Sequence, residues 1–451
     1  MEREKFGSRI GFILVSAGCA IGIGNVWKFP YMVGQYGGGA FVLFYILFLV
    51  ILGMPILMVE FTLGRASRKS PVKMYQMLEK PGHKWHFHGY VCMGANYLLM
   101  MFYTTVAGWM LYYLYASVSG KYEHQSGEQI VDMFTGMTGS PWIMILCVAI
   151  VVVLGFLVNS MGLQKGLERV SKIIMILLLI LIGVLAVNSI FLDGGKEGLL
   201  FYLKPDFERM KEVGVSTVII GAMTQAFFTL SIGAGSMAIF GSYINKDRSL
   251  MGESINVAVL DTIVAVCSGL IIFPACSAYN IDVTAGPELL FITLPNVFNH
   301  IPGGRFWSVL FFMFMVFAAF STVLAVFENI VSMCMDQFKW SRKKACLINI
   351  PLMFALSLPC ALGGNLLSKF HPLGEGTQIL DLEDHILSYY LLPIGSLIFV
   401  LFCVSRFGWG WKSFIAEANQ GKGLKVHEFM RPYMTVVLPF IIVMVFILNI
   451  I

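Results

Sequence analysis

The sequence predicts an all-α polytopic membrane protein with a single transmembrane domain over residues 1–451. Of these residues, 57% are hydrophobic and only 13% are charged, whereas about a quarter of the residues in soluble domains are charged. Apolar runs of about 20 residues, long enough to cross about 30 Å of hydrocarbon, recur along the whole chain. The segments between these runs are too short to fold as separate domains.

The apolar runs predict 11 transmembrane helices, because each run is long enough for one crossing. They cover residues 10–33, 39–63, 88–118, 142–160, 168–192, 214–243, 252–280, 305–336, 345–363, 376–404 and 430–451.

Basic residues predict the orientation of the chain. If the N-terminus is cytoplasmic, 23 of the 31 Lys and Arg residues lie in cytoplasmic segments, as the positive-inside rule requires. We therefore expect a multi-pass protein of the cell (inner or plasma) membrane, with a cytoplasmic N-terminus and an extracellular C-terminus. The net charge of +5 then reflects topology and not nucleic-acid binding. The opening MEREKFGSR leads straight into an apolar helix, so no cleavable signal peptide is expected.

Cysteine and histidine patterns predict neither a metal cluster nor an enzyme. The 9 cysteines show no CxxC spacing, so we expect small core residues without a disulfide framework. His83, His86 and His88 cluster in a predicted cytoplasmic loop, where interfacial surface is favoured over a metal site. The chain carries no recognisable catalytic constellation, and we expect no organic cofactor.

Two predicted helices contain residues that are unsuited to an apolar helix. The first contains SAGCAIGIGNVWKFPY (residues 16–31), and the sixth contains QAFFTLSIGAGSMAIFGSY (residues 225–243). Small residues allow close packing of membrane helices, which is one interpretation. Their occurrence in the first and sixth helices favours another, because paired interrupted helices in inverted repeats indicate the binding site of a transporter.

This spacing predicts a five-plus-five inverted repeat with discontinuous first and sixth helices. The repeats would cover residues 10–192 and 214–404, and residues 430–451 would form an extra helix. Unwound backbone at membrane depth is tolerated only inside protein or beside a water-filled cavity. Its carbonyl groups suit a small cation, and its N–H groups suit a carboxylate. An amino-acid zwitterion together with Na⁺ matches this chemistry.

Acidic residues within predicted spans mark further candidate sites. Glu60 lies near the inner end of the second helix, where we favour a structural carboxyl that ties this helix to the broken sixth, although nearby Arg65 allows an interfacial interpretation. Asp261 is deeper and requires a cation or a buried donor. Glu328 in the eighth helix is similar, but the sequence does not indicate its partner.

Hydroxyl and charged groups leave two further questions open. Ser321 and Thr322 either bond back to the preceding helical turn or face inward as ligands. Asp384 opens the tenth helix on the same side as Lys28. The two could close an outer gate, or Asp384 could be a solvated acid at a helix start.

These motifs together resemble the neurotransmitter:sodium symporters, and in particular their bacterial amino-acid transporters. The resemblance runs from Arg9 to about Arg406. It rests on AGCAIGIGNVWKFPY, YGGGAFVLFY, GMPILMVEFTLGR, KGLERVSK, FYLKPDF, QAFFTLSIGAGSMAIFGSY, GPELLFITLP and FSTVLAV in this order.

The resemblance implies two Na⁺ sites beside one substrate site. The first Na⁺ would be held by the substrate carboxylate and by Ala20, Asn25, Thr229 and Asp261. The second would be held by Gly18, Ile21, Ala318, Ser321 and Thr322. The substrate would contact Cys19, Ala20, Gly22, Gly24, Leu99, Tyr103, Phe228, Thr229, Ser231, Ala234, Thr322 and Val326. The outer gate would comprise Lys28, Asp384, Tyr103 and Phe228, and the inner gate Arg3 and Asp336 near Tyr243.

Departures from the family pattern narrow these expectations. Gly22 stands where the biogenic-amine members carry Asp, so the substrate should bring its own carboxylate. Asp261 replaces the usual Asn, and Ala265 replaces the serine of chloride-dependent members, which together imply chloride-independent transport. Lys28 replaces the commoner arginine and lacks its bidentate fork. Ile176 stands where some members have a proline that helps the fifth helix to unwind.

We therefore expect a sodium-coupled symporter that imports hydrophobic or aromatic amino acids by alternating access. Tyrosine and tryptophan are favoured over leucine because Ala234 is small where some relatives place Phe. The alternatives are a proton-coupled amino-acid transporter of the same fold and a non-transporting membrane sensor of amino acids. The expected partners are the amino acid and the lipid bilayer, and the sequence does not indicate an oligomeric state.

Overall fold

The structure is a computed structural model that describes residues 3–121, 123, 125–279, 289–300 and 302–448. These ranges contain helices and connecting segments, and their extended pairing is limited to a bridge between Arg248 and Lys422. In chain order the helices are α1 Arg9–Ala20, α2 Gly24–Gln35, α3 Gly39–Ser67, α4 Pro71–Leu78, α5 His86–Ser119, α6 Gly127–Gly139, α7 Pro141–Ser160, α8 Leu163–Ile190, α9 Lys196–Leu203, α10 Phe207–Val213, α11 Val215–Thr229, α12 Ser236–Gly241, α13 Leu250–Ala278, α14 Leu294–His300, α15 Gly304–Phe338, α16 Arg342–Ala361, α17 Ile379–Val404, α18 Trp411–Ala418 and α19 Met430–Leu448.

The helices confirm the predicted all-α membrane fold. In the described part of the chain, nine helices are long and apolar enough to cross a bilayer, and two bent helix pairs raise the number of spans to eleven. The bent pairs are α1 with α2, which meet at 52°, and α10 with α11, which meet at 96°. The short helices α4, α6, α9, α14 and α18 lie in connections for which the hydropathy pattern predicted no element, and α10 lies just before the predicted sixth span.

The first span breaks after Ala20. Ile21 leaves the helical region with φ −71° and ψ 102°, and α2 starts at Gly24 with a π-helical turn up to Lys28. Pro30 follows this turn directly, at the point where the regular α-helical part of α2 begins. The Ile21 N–H still donates to the Ala17 carbonyl, but the N–H groups of Gly22 and Ile23 and the Ile21 carbonyl bond to side chains instead of to the helix.

The sixth span breaks between Thr229 and Ser236. Ser231, Gly233 and Gly235 all have positive φ, at 50°, 93° and 74°. Glycine adopts this region at little cost, whereas Ser231 is held there by its surroundings. A side chain at Gly233 would lie 2.2 Å from the Leu392 carbonyl, so the unwound segment packs directly on α17.

The long helix α15 forms the centre of the packing, because α1, α5, α7 and α8 all contact it. Outward faces of α8 and α19 instead carry exposed apolar side chains, as expected for helices that face lipid. One expectation for the loops was wrong: His88 is buried, not part of an interfacial surface. It lies in the first turn of α5, where its Nδ1 is 2.8 Å from the Tyr75 hydroxyl.

The α9–α10 connection illustrates how local sequence ends one helix and starts the next. Asp206 caps α10 by accepting hydrogen bonds from the backbone N–H groups of Arg209 and Glu208. These N–H groups, chiefly that of Arg209, lower the pKa of the Asp206 carboxyl, which therefore stays ionised as a helix cap.

Candidate functional site

A small cavity lies where the breaks in the first and sixth spans face each other. α5, α15 and α17 complete its wall, and its free volume is about 20 Å³. It is lined by Cys19, Ala20, Gly22, Gly24, Leu99, Tyr103, Phe228, Ser231, Ala234, Ser236, Thr322, Leu387 and Leu392.

Most residues that were expected to contact the substrate line this cavity. The exceptions are Thr229 and Val326, which are buried but do not line it. Ser236, Leu387 and Leu392 also line the cavity and were not predicted. The only sequence signal for Ser236 was its place in the glycine-rich break, and the two leucines stand in an ordinary apolar run.

A side chain at Gly22 would require its neighbours to shift. A Cβ atom there would lie 2.2 Å from the Tyr103 hydroxyl and 2.3 Å from Thr322 Oγ1. The Tyr103 hydroxyl accepts a hydrogen bond from the N–H of Ile23 at 3.0 Å. Its own proton therefore remains available to an acceptor in the cavity.

The residues expected at the first Na⁺ site meet around one carboxylate. Asn25 Nδ2 donates to Asp261 Oδ1 at 2.8 Å, and Thr229 Oγ1 donates to Asp261 Oδ2 at 3.0 Å. Asn25 Oδ1 in turn accepts the Gly22 N–H at 3.2 Å. The structure thus supplies the buried donors that Asp261 requires, and it couples this carboxylate to the break in the first span.

The residues expected at the second Na⁺ site also lie together, between α15 and the end of α1. Ser321 Oγ is 3.1 Å from the Ile21 carbonyl and 2.8 Å from the Ala318 carbonyl. Thr322 Oγ1 is 3.2 Å from the carbonyls of both Gly18 and Ile21. The hydroxyl of Ser321 thus bonds back within its helix and also reaches the unwound backbone, so both sequence interpretations describe part of its environment.

Two buried side chains hold the unwound segment of the sixth span. Glu60 Oε1 accepts the Gly233 N–H at 2.6 Å, which is the link between α3 and the sixth span that the sequence predicted. Asn96 on α5 donates to the Ala234 carbonyl at 3.0 Å and accepts from Ser236 Oγ at 3.1 Å. Sequence reasoning missed Asn96, because an isolated amide in an apolar helix carries no local signal.

Lys28 forms an ion pair next to the cavity, and this region is named the Lys28 end. Lys28 Nζ is 2.8 Å from Asp384 Oδ2 and 3.0 Å from Ser388 Oγ. The same ammonium group lies 4.1 Å from the centre of the Phe228 ring, which lines the cavity. The predicted partners therefore meet, and Phe228 connects this charge pair to the cavity wall.

The residues of the predicted inner gate form a second ion pair, between Arg3 and Asp336, and this region is named the Arg3 end. Arg3 Nη1 is 2.9 Å from Asp336 Oδ2, and the guanidinium lies 4.6 Å from the centre of the Tyr243 ring. The Tyr243 hydroxyl donates to Glu328 at 2.6 Å. The partner of Glu328, which the sequence did not indicate, is Arg342, whose Nη1 and Nη2 contact the carboxylate at 2.5 and 2.9 Å.

Comparison with known proteins places this geometry in a family. The model of the sodium:neurotransmitter symporter family matches residues 3–133 and 128–451. This chain belongs to that family. It is therefore a member of a group of sodium-dependent multi-pass membrane transporters, and the use of sodium follows from membership.

Relatives within the sodium:neurotransmitter symporter family include an uncharacterized sodium-dependent transporter of Bacillus subtilis, YhdH. It is 34% identical over 88% of this chain and 87% of its own length. A sodium-dependent transporter of Methanocaldococcus jannaschii, MJ1319, is 32% identical over 90% of this chain and 83% of its own length. The sodium-dependent serotonin transporter of Drosophila melanogaster is 26% identical over 99% of this chain and 76% of its own length.

A solved structure of the sodium:neurotransmitter symporter family confirms the fold. The crystal structure of MhsT in complex with L-phenylalanine superposes with a TM-score of 0.90 at 34% identity, and the match covers 99% of this chain and 100% of MhsT. The prediction of a five-plus-five fold with interrupted first and sixth spans is therefore confirmed.

Proposed function

We propose that this protein is a sodium-coupled symporter that imports hydrophobic and aromatic amino acids together with two Na⁺ ions and without chloride. The observation that carries the proposal is the cavity between the two broken spans. One part of its wall is unwound backbone with the Tyr103 hydroxyl, and the remainder is largely apolar. An amino acid has the same division into a charged backbone end and a side chain.

The backbone end of the cavity suits a carboxylate. The Tyr103 hydroxyl can donate to it, because that oxygen already accepts the Ile23 N–H. Gly22 occupies the position where a side chain would collide with Tyr103 and Thr322. A side chain at this place would require Tyr103 or Thr322 to move, and glycine supplies no carboxylate, so we propose that the substrate brings its own.

The side-chain end suits an uncharged group. Leu99, Phe228, Ala234, Leu387 and Leu392 contribute apolar surface, and the lining contains no Asp, Glu, Lys, Arg or His in the part of the chain that the structure describes. Because a buried charge without a partner is costly, lysine and glutamate side chains should be rejected. The relative MhsT was crystallised with L-phenylalanine, which supports an aromatic substrate.

The free volume of about 20 Å³ has a mechanistic consequence. It is sufficient for about one water molecule, so an aromatic side chain enters only if wall residues move. Phe228 is the natural candidate, since its ring lies under the Lys28 ammonium at 4.1 Å. Binding would therefore move the ring that touches the charge pair, which links occupancy of the cavity to closure of the Lys28 end.

The proposed ions occupy the two clusters of oxygen atoms. Asp261, Asn25 and Thr229 would hold the first Na⁺ next to the substrate carboxylate, together with the Ala20 carbonyl. Ser321 and Thr322 would hold the second with the carbonyls of Gly18, Ile21 and Ala318. Na⁺ favours hard oxygen ligands, and both clusters consist of carboxylate, hydroxyl, amide and carbonyl oxygens.

Chloride independence rests on the charge of Asp261. Tyr45 Oη lies 3.4 Å from Thr229 Oγ1, and the Gln225 amide donates to the Gly24 carbonyl at 2.9 Å. Ala265 adds no hydroxyl to these groups. We propose that the Asp261 carboxylate, which faces the same threonine at 3.0 Å, replaces the anion that such a group of donors would otherwise bind.

The orientation proposed from the basic residues makes the Lys28 pair the outer gate and the Arg3 pair the inner gate. Both pairs are formed in this structure, at 2.8 and 2.9 Å. Alternating access then requires that one pair open while the other stays closed. Each Na⁺ carries charge across the membrane, and about 2.3 kcal/mol is available for each charge per 100 mV.

Uptake by proteoliposomes tests this function. With an inward Na⁺ gradient we expect accumulation of radiolabelled tyrosine, tryptophan or phenylalanine, and the same accumulation after gluconate replaces chloride. Replacing the Na⁺ gradient with a proton gradient should abolish it. Transport that depends on the proton gradient alone, or a requirement for chloride, would contradict the coupling. Uptake of lysine or glutamate in preference to aromatic amino acids would contradict the proposed specificity.

A further inference from the structure

A second, larger pocket lies at the Arg3 end, outside the cavity and outside both proposed ion sites. It has a volume of about 540 Å³ and lies among the N-terminal segment, the α3–α4 region and the α15–α16 turn. Its lining contains five cationic and two acidic side chains, which gives a net charge of +3. The proposed inner gate uses only Arg3 and Asp336 among these charged side chains.

The two arginines of the pocket are already neutralised. Arg3 pairs with Asp336 at 2.9 Å, and Arg342 pairs with Glu328 at 2.5 Å and with Glu4 at 3.1 Å. Together with Glu328, which lies outside the lining, these carboxylates reduce the net charge to +2, and the unpaired positive charge resides on the three lysines.

Lys69, Lys73 and Lys339 supply that excess. Lys69 Nζ is 3.6 Å from Asp336, a carboxylate that already accepts from Arg3. Lys73 donates to the neutral Gln76 at 2.9 Å. Within the described ranges, neither Lys73 nor Lys339 has a carboxylate within 4.0 Å. Of the three ammonium groups, only that of Lys69 therefore contacts a carboxylate, and this contact is long.

The surface beside the pocket has the composition of a membrane interface. Lys339 caps α15 between Phe338, which is 50% exposed, and Trp340, and these two rings lie 4.9 Å apart. Tyr90, 43% exposed, accepts a hydrogen bond from Gln337 at 3.0 Å and extends this aromatic surface. Aromatic rings beside lysines are typical of the depth of lipid headgroups.

We propose that this pocket binds the phosphate headgroup of an anionic membrane phospholipid, with Lys69, Lys73 and Lys339 as its cationic ligands. A free phosphate offers the same chemistry to the lysines. The exposed rings of Phe338 and Tyr90 favour the lipid, because they would contact its glycerol and acyl region. The ligands come from the α3–α4 region and from the end of α15, the same elements that Asp336 joins through the Ser70 N–H at 2.8 Å.

Direct lipid binding to the purified full chain tests the proposal. Binding of phosphatidylglycerol and of phosphatidylcholine is measured by native mass spectrometry, with inorganic phosphate as a competitor. We expect phosphatidylglycerol to bind in preference to phosphatidylcholine, and its affinity to fall roughly fivefold for each lysine removed in Lys69→Gln, Lys73→Gln and Lys339→Gln. Affinity should also fall as ionic strength rises.

A matched triple variant controls for net charge. Lys196→Gln on α9, Lys204→Gln after it and Lys211→Gln on α10 remove the same charge from exposed positions and should leave lipid binding unchanged. If the pocket triple variant misfolds, the exposed single variant Lys339→Gln carries the test. Equal losses in both triple variants, or equal binding of the two lipids, would overturn the site. Displacement of phosphatidylglycerol by dilute inorganic phosphate would overturn its assignment to a lipid.

Discussion

Asn25 and Asp261 form a buried contact at the break in the first span: Asn25 Nδ2 donates to Asp261 Oδ1 at 2.8 Å and to the Asp261 carbonyl at 3.1 Å. Both side chains are excluded from solvent. The second carboxylate oxygen accepts from Thr229, the last residue before the break in the sixth span. Asp261 is therefore the charge that both broken spans share, and a cation bound there would contact both of them.

Neutralising this carboxylate should weaken sodium coupling. In Asp261→Asn the side chain keeps its size but loses the negative charge that would face the first Na⁺. Unit charges a few ångströms apart interact by about 4 kcal/mol at an effective dielectric constant near 20. Losing even part of this interaction energy would lower the affinity for Na⁺ more than tenfold. We expect at least a tenfold rise in the Na⁺ concentration that gives half-maximal uptake of labelled phenylalanine.

The matched control is Asp132→Asn, which removes the same charge from an exposed position on α6. It should leave the Na⁺ dependence unaltered. An unchanged Na⁺ dependence in Asp261→Asn would remove Asp261 from the proposed ion site.

Gly22 should tolerate no side chain. In Gly22→Ala the new methyl group would lie 2.2 Å from the Tyr103 hydroxyl and 2.3 Å from Thr322 Oγ1, both of which line the cavity. We expect at least a tenfold loss of substrate affinity, because the group that should meet the carboxylate is displaced. The measurement is Na⁺-dependent binding of labelled phenylalanine to purified protein.

Gly183→Ala is the corresponding control, since a methyl group at Gly183 on the exposed face of α8 meets no atom within 4 Å. Binding should be unchanged there, and thermal stability should stay the same or rise slightly, as alanine favours a helix by about 1 kcal/mol over glycine. Wild-type affinity in Gly22→Ala would show that the wall relaxes and would contradict the proposed carboxylate position.

The spans could be predicted closely because their signal is local. The prediction of 142–160 compares with Pro141–Ser160, and that of 88–118 with His86–Ser119. The breaks could also be predicted, since glycines and an early proline disfavour a continuous helix. What could not be predicted is the left-handed conformation of Ser231, because a serine has no intrinsic preference for it and only the packing of the unwound segment imposes it.

In the candidate site, too, residues with a local sequence signal could be predicted, and contacts that depend on packing could not. Asn25, Asp261, Ser321 and Thr322 were singled out because each is a polar residue in an apolar helix, and the structure brings them to the first break. The pairing of Glu328 with Arg342 was not predicted, since it depends on how the Lys339 turn joins α15 to α16. Leu387 and Leu392 could not be predicted, because the sequence of an apolar helix does not distinguish residues that line a cavity from residues that face lipid.

The Lys28–Asp384 pair should control access to the cavity from the Lys28 end. Both side chains are partly buried, at 17% and 25% exposure, so breaking the pair costs about 1 kcal/mol, or roughly a fivefold shift toward opening. In Lys28→Gln we expect a membrane-impermeant thiol reagent to modify Cys19, which lines the cavity, several-fold faster. The exchange Lys28→Asp with Asp384→Lys should restore the slow rate.

Two controls make this measurement specific. Cys19→Ser should remove the labelled site, and Lys121→Gln, which removes a cation stacked on Tyr112 and Tyr115, should leave the rate of labelling unchanged. Equal labelling rates in wild type and in Lys28→Gln would show that this pair does not close the cavity.

The buried Glu328–Arg342 pair should contribute strongly to stability at the Arg3 end. Glu328 is fully buried, and its carboxylate accepts two hydrogen bonds from Arg342 and one from Tyr243. Removing one partner leaves a buried charge uncompensated, which costs about 3–5 kcal/mol. We expect Arg342→Gln to lower the thermal unfolding midpoint of purified protein markedly.

The double variant Glu328→Gln with Arg342→Gln should recover most of the loss, because neutral amides can still bond to each other and to Tyr243. Lys344→Gln, an exposed cation in the same turn of α16, should have little effect. A double variant as unstable as Arg342→Gln alone would mean that packing of the arginine stem, and not compensation of the Glu328 charge, stabilises this end of the protein.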